Sequence, residues 1–470
     1  MKGGSKTVLD GAALSIDQVL ELGSQTSPAI EVAPAARALV ASTWKLAEEI
    51  ASRRPIYGRT TGVGANRDTE VIQDTATDLR LLRSHATGSG SLLPISTVRM
   101  ALIIRLNQLL RGGSGIHPDV LDALTAAVVG DRIPDVRGTG PIGTGDLSSL
   151  GEIALSLVEK GGWRLHAGDA LPFLSSSAVT LAGACATAGR LHHWIRMQTF
   201  VSALSFLAVR ASREPLQPSV QNAHPHPGQA EAAAALLALL EEYPVAARRV
   251  QDSFGFRAYP QVVGALLDAA SAFEGTIEVE LVSAAENPLI DPAGADIYHN
   301  GNFHGIALAL AAERVKLALA SAGQLSVARL TDISNPEMTG LSSFLADTPG
   351  ASGTMLLEYN QAAAQATLRH SAQAATLGAI VISRGVENHS SFSSQAIEQL
   401  GRCLESATDI LACELLAALR AIAMHGDRIE VTGPLADFIA RVTPLIGAGL
   451  EDRSLTEDLA VVRSFLDFAS

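Results

Sequence analysis

The stretch GIALALAAERVKLALASAGQLSVARL, residues 305–330, decides the fold class. It is long, rich in alanine and leucine, and nearly apolar all round. Alanine and leucine lead the helix scale and lack the β-branching that suits a strand, so the stretch reads as helix. A helix without a polar face has to be covered on several sides, in a bundle or at a subunit interface. AEAAAALLALLEEY, residues 230–243, carries the same signature. A third nearly apolar helix is expected around residues 360–382. In RMALIIRLNQLLRGG, residues 99–113, Leu102, Arg105, Leu106 and Leu109 recur at helical spacing before Gly112 and Gly113 stop the run. The expected fold is mainly α.

Bulk composition points the same way. The chain has 470 residues, 47% of them hydrophobic but only 4% aromatic, so its core is built from small and aliphatic side chains. A net charge of -13 argues against a nucleic-acid surface, which needs clustered Lys and Arg. The cysteines Cys185, Cys403 and Cys413 form no CxxC and sit in apolar stretches, so buried free thiols and a reducing cytoplasm are expected. The N-terminus shows no long apolar segment of a signal peptide, and no unbroken apolar run suggests a membrane span. SVQNAHPHPGQ (219–229), ENPLIDPAGADIYHNGNFHG (286–305) and TDISNPEMTG (331–340) read as loops. His192 and His193 are adjacent on an expected helix and point apart, and His224-Pro225-His226 has no third ligand nearby, so no metal is expected. No repeat, linker or charge block divides the chain, which reads as one helical body with functional loops.

A second stretch raises chemistry. GPIGTGDLSSLGE, residues 140–152, pins the hydroxyl of Thr144 between two glycines just ahead of a helix. Gly143 and Gly145 permit backbone angles that other residues resist. Asp146 is expected to cap a helix beginning near Leu147, with Ser149 and Glu152 as an alternative capping box. A group held there would feel the positive end of the helix dipole.

This stretch occurs with YGRTTGVG (57–64), LRLLRSHATGSG (79–90), RLNQLLRGGSGI (105–116), VQDSFGFRAYPQVVGA (250–265), ENPL (286–289), GNFHG (301–305) and VENHSSF (386–392). Together they resemble the histidine and aromatic amino-acid ammonia-lyases over nearly the whole chain. The resemblance implies a mainly α fold with a long central helical bundle and a smaller N-terminal portion carrying the active-site loops. It implies one unit over 1–470, with that portion at about 1–195 and the bundle and C-terminal helices at about 196–470. It also implies a homotetramer whose sites combine loops from three subunits, and a small amino-acid substrate.

In that family an Ala-Ser-Gly triplet cyclises with loss of two waters to a methylidene-imidazolone, a carbon electrophile that no ordinary side chain supplies. The aligned triplet is Gly143-Thr144-Gly145, so an ethylidene variant is expected. By the same resemblance Tyr57 accepts the β-proton, Arg257 holds the substrate carboxylate with its planar fork, and Asn302 assists there. Phe303 lies beside the electrophile. Ser84 and His85 match the substrate-selecting pair of the histidine-specific members, and Glu387 matches the glutamate that meets a histidine ring. Gln251, Phe254 and Ser175 complete the expected substrate contacts. Gly143 stands for the family's alanine and is expected to loosen the loop. Phe254 stands for a tyrosine, and Ser175 for an asparagine. Arg59, beside Tyr57, is expected to add positive charge to the site. The alternatives are an aminomutase, an enzyme that runs other acid–base chemistry without cyclisation, and a non-catalytic binding homologue.

Overall fold

The structure, a computed structural model, describes residues 6–241, 243, 246–426, 429 and 431–467. Helix makes up 62% of the protein and strand 5%, so the mainly α expectation holds. The chain divides into two compact units. The first comprises 1–189, 274–311 and 374–398, and the second 190–273, 312–373 and 399–470.

The described strands all belong to the first unit and pair two by two. Thr7–Leu9 runs parallel to Ile30–Val32, while Ser89–Leu92 with Arg137–Thr139 and Leu289–Asp291 with Asp296–Tyr298 are antiparallel. The helix Ile95–Leu109 forms where periodicity places it, and Gly112, at φ +75°, follows its end. Its burial is not one-sided: every residue from Val98 to Leu109 is buried, Arg105 included. Arg105 donates to Glu286 at 2.9 Å, both side chains being 1% exposed, and to the carbonyls of Pro172 and Phe173. Arg105, which shares the helical spacing of the leucines, thus forms a buried ion pair that anchors the ENPL segment.

In the second unit the core gathers round Glu414. Its carboxylate accepts from Arg329 Nε at 2.6 Å and Nη2 at 2.9 Å, from Ser205 Oγ at 2.6 Å and from Ser326 Oγ at 2.5 Å. Four donors on one buried carboxylate meet the condition under which an ion pair can leave water without an unsatisfied charge.

Several sequence expectations are corrected. Residues 306–334 form one helix, but the helix Met355–Ser371 stops well short of 382, and Leu377 and Val381 beyond it are exposed. The helix Pro227–Leu240 buries one side only, leaving Ala230, Ala234 and Ala238 exposed. The stretch 219–229 is mostly helical, in Pro218–Ala223 and the start of Pro227–Leu240, because proline fits a first helical turn. In 331–340 the long helix runs to Ser334 and a short one follows at Pro336–Thr339. Cys185, Cys403 and Cys413 are buried and unpaired, with burial pushing each thiol up to about 12. Among the described residues one stretch, Ala170–Val209, is long and apolar enough to cross a membrane, and 83% of its most apolar window is buried inside the protein.

Candidate active site

A cavity of about 740 Å³ opens in the first unit, lined by Tyr57, His85, Thr144, Ser175, Phe303 and Glu387 from six separate segments of the sequence. Arg67, Asn287 and His299 line it too. Tyr57 follows the helix Pro34–Ala51, and its hydroxyl accepts the Gly64 N–H at 2.7 Å while its own N–H donates to His299 Nε2 at 3.2 Å. Burial pushes the Tyr57 hydroxyl above its ordinary pKa of 10. Glu387 adds to that shift, and the Gly64 N–H and Arg67 oppose it. His85 ends the helix Thr75–His85 with Nδ1 on the Leu81 carbonyl at 2.9 Å, which makes Nδ1 the protonated nitrogen. Ser84 is exposed beside it, with its hydroxyl on the same carbonyl, and is not part of the lining.

The loop around Thr144 is held by its backbone. The Gly143 carbonyl accepts two hydrogen bonds, from Gly305 N–H at 3.0 Å and Ser391 Oγ at 2.7 Å. Phe392 N–H bonds the Ile142 carbonyl at 2.9 Å, and Gln395 Nε2 bonds that of Pro141 at 2.8 Å. Gly143 does not loosen this loop as expected. Its φ is +85°, and a Cβ there would lie 2.0 Å from Ser391 Oγ and under 3 Å from the backbone nitrogens of Phe392 and Ser393. Glycine is what lets the two segments approach.

Asp146 occupies the N-cap position of the helix Leu147–Glu159, but its side chain does not cap it. The buried carboxylate instead accepts from Thr180 N–H and Oγ, both at 2.7 Å, in the first turn of the helix that begins at Ala178. Desolvation raises its pKa to about 6 against those hydrogen bonds. The Ser149–Glu152 capping box is absent as well: Ser149 Oγ donates to the Arg137 carbonyl, and Glu152 accepts the Arg137 N–H.

Arg59 brings no charge to the cavity. It is buried outside the lining, paired with Glu48 and donating to the Gly115 carbonyl at 2.7 Å, and the arginine in the lining is Arg67. Ser175 Oγ accepts the Asn287 backbone N–H at 2.9 Å, and Asn287 of ENPL, whose side-chain oxygen accepts the Asn300 N–H at 2.9 Å, lines the cavity as well. Asn302 is exposed on the GNFHG loop and is not among the lining residues. Gln251, Phe254 and Arg257 belong to the second unit. There the Arg257 guanidinium stacks over the Phe254 ring at 4.3 Å, and Phe254 is 67% exposed.

Sequence reasoning missed one cluster altogether. His117, Asp119 and His166 bring ligand-capable atoms within 4.8 Å of one another, with the two imidazoles stacked at 3.5 Å and Trp44 edge-on to both. Asp169 accepts the backbone N–H groups of His117 and His166, each at 2.9 Å. The signal was His117-Pro118-Asp119, but its third member lies far along the chain.

The profile of the aromatic amino acid lyase family matches residues 14–443. The chain is 31% identical to a histidine ammonia-lyase of Stigmatella aurantiaca, over 98% of this chain and 96% of that one. It is 32% identical to a histidine ammonia-lyase of Deinococcus radiodurans, over 93% and 89%. Among solved structures, tyrosine aminomutase from Streptomyces globisporus superposes with a TM-score of 0.91 at 26% identity, covering 98% and 97%. The chain therefore belongs to the aromatic amino acid lyase family and is a carbon–nitrogen lyase of the ammonia-lyase type.

Proposed function

We propose that the protein eliminates ammonia from histidine or a similar polar or aromatic α-amino acid. The observation that carries this reading is the meeting of Tyr57, Thr144, His85 and Glu387, from four distant motifs, in one cavity. The residues round Gly143-Thr144-Gly145 fit an imidazolone made from the backbone. Thr144 faces the cavity, the Gly143 carbonyl is fixed by two donors, and a side chain at 143 would not fit. Once formed, this group would supply an electrophile for the substrate's amine side, with an ethylidene carbon in place of the methylidene.

The chain's own residues then divide the remaining work. Tyr57 Oη takes the β-proton, and the Gly64 N–H that already bonds this oxygen stabilises its anionic form. His85, with Nδ1 committed to Leu81, offers Nε2 to the substrate side chain, and Glu387 offers a carboxylate to a protonated ring. Arg257 meets the substrate carboxylate, supplied with Gln251 and Phe254 by another copy of the chain in a homotetramer. Intact-protein mass tests the electrophile: the mature protein is lighter than its sequence by two waters. Ammonia release from L-histidine and a panel of polar and aromatic amino acids tests the reaction. A full-length mass together with no ammonia from any of them would overturn the proposal. An aminomutase is the second reading, favoured by the similarity to tyrosine aminomutase, and a β-amino acid product would identify it.

A further inference from the structure

Cyclisation of Gly143-Thr144-Gly145 begins when the Gly145 nitrogen attacks the Gly143 carbonyl carbon. One C–N bond forms and the carbonyl π pair moves onto the Gly143 oxygen. That oxygen then leaves as water with the protons of the Gly145 and Thr144 amides as a C=N bond forms. Thr144 Oγ1 leaves as the second water with the α-proton, giving Cα=Cβ. The step balances without oxidant or reductant. Its difficulty is the first addition, because an amide carbonyl is a poor electrophile and its oxygen must carry negative charge.

We propose that Ser391 Oγ and the Gly305 N–H form an oxyanion hole for the protein's own maturation. This rests on the reading that the triplet cyclises, and it assigns catalytic donors to that reaction. The Gly143 oxygen accepts both donors, Ser391 Oγ at 2.7 Å and Gly305 N at 3.0 Å. Ser391 is fully buried, and its own Oγ accepts the Ser393 N–H at 3.3 Å. Ser393 is the first residue of the helix Ser393–His425, so the hydroxyl proton is turned toward Gly143 from the positive end of a long helix. The Ser393 hydroxyl is buried beside Gly305 without a hydrogen-bond partner.

The neighbouring bonds aim the carbonyl as well as polarise it. Pro141, Ile142 and Gly143 present consecutive carbonyls to Gln395, Phe392 and Ser391 in turn. Donors fixed before charge develops need no reorganisation as it appears, which is how such holes lower barriers.

The test follows intact mass against time after cell-free synthesis of the full chain. Wild type is expected to lose two waters. Ser391→Ala is expected to do so about 10²–10³-fold more slowly, the loss seen when one oxyanion donor is removed. Ser391→Cys, a weaker donor of similar size, should fall between. Ser390→Ala removes a neighbouring buried hydroxyl that makes no bond to Gly143 and should mature like wild type. Circular dichroism and melting temperature check folding, and a merely structural Ser391 would lower the melting temperature without slowing water loss. Equal rates for wild type and Ser391→Ala overturn the oxyanion assignment alone. A wild-type chain that never loses the waters overturns the cyclisation reading and this proposal with it. If Ser391→Ala does not fold, a Ser391→Cys that matures at the wild-type rate overturns the assignment.

Discussion

Replacing Tyr57 by phenylalanine removes one oxygen and leaves the ring in place. In the folded chain that oxygen accepts the Gly64 N–H at 2.7 Å. The orphaned N–H lies in an open, half-buried turn that water can reach, so the stability loss stays near the lower end for a lost hydrogen bond, about 1 kcal/mol. In the proposed role of general base the same oxygen would contribute about 10²–10⁴ in rate. At about 1.4 kcal/mol per tenfold, that is about 3–6 kcal/mol of barrier, several times the structural effect. Tyr57→Phe is therefore expected to lose at least about a hundredfold in ammonia release while its melting temperature falls by about 2 °C or less. The pH profile adds a second reading. Burial and Glu387 hold the hydroxyl above its ordinary pKa, so the basic form is scarce near neutrality. Wild-type kcat/KM should climb steadily as pH rises from neutral into the alkaline range, and any residual activity of Tyr57→Phe should lack that limb. Ammonia release from L-histidine and the amino-acid panel, followed across pH beside calorimetry, measures both. A variant that keeps more than about a tenth of the activity, or keeps the alkaline limb, would refute the assignment of Tyr57 as base.

Asp169 is buried, and desolvation with the nearby Asp78 holds its pKa at about 7 despite two backbone hydrogen bonds and Arg59. The folded state therefore keeps a proton that the unfolded chain releases near 3.8, and wild type should lose stability relative to Asp169→Asn as pH rises from about 4 to about 7. The difference is of order a few kcal/mol, read from urea midpoints across that range, and a constant offset between the two proteins would contradict it. Glu414→Gln keeps the shape of its site but leaves the buried Arg329 charge uncompensated, and should destabilise by about 3–5 kcal/mol. Asp409→Asn, which removes the half-exposed pair with Arg463, should change stability by less than about 1 kcal/mol in the same urea titration. Similar losses for the two would show that Glu414 is not the node of the core.

The motifs made much of the cavity legible because each carries a backbone requirement and a chemical group within a few residues. Tyr57, Thr144, His85, Glu387, Ser175 and Phe303 were named from such local strings. What stayed hidden depends on partners distant in sequence. Asp146 stands at the cap position of one helix, yet its carboxylate goes to Thr180 at the start of another. Arg59 looked like charge for the site because Glu48 and the Gly115 carbonyl, which absorb it, lie on other segments. Arg67 and His299 sit in the flanks of the motifs, and Asn287 sits within ENPL, where the string does not mark which side chain faces a cavity. Periodicity predicted that helices exist but overran their ends: the run near 360–382 stops at Ser371 although its composition stays apolar. Gly143 shows the same limit: its positive φ is a local need, but the close approach of Ser391, Phe392 and Ser393 that also excludes a side chain is not visible in its neighbours.

Residue 391 is 248 positions from the carbonyl it holds. At about 5–20 residues per second, the ribosome makes Gly143 about 12–50 s before it makes Ser391. Through that interval the triplet lacks the grips of Ser391, Phe392 and Gln395, and on the maturation proposed above it stays ordinary peptide. If Ser391 acts as proposed, the chemistry waits until the distant segment has been made and has docked. A chain cut short of residue 391 would carry the same three residues indefinitely unreacted, so its mass would record how far synthesis and folding had gone.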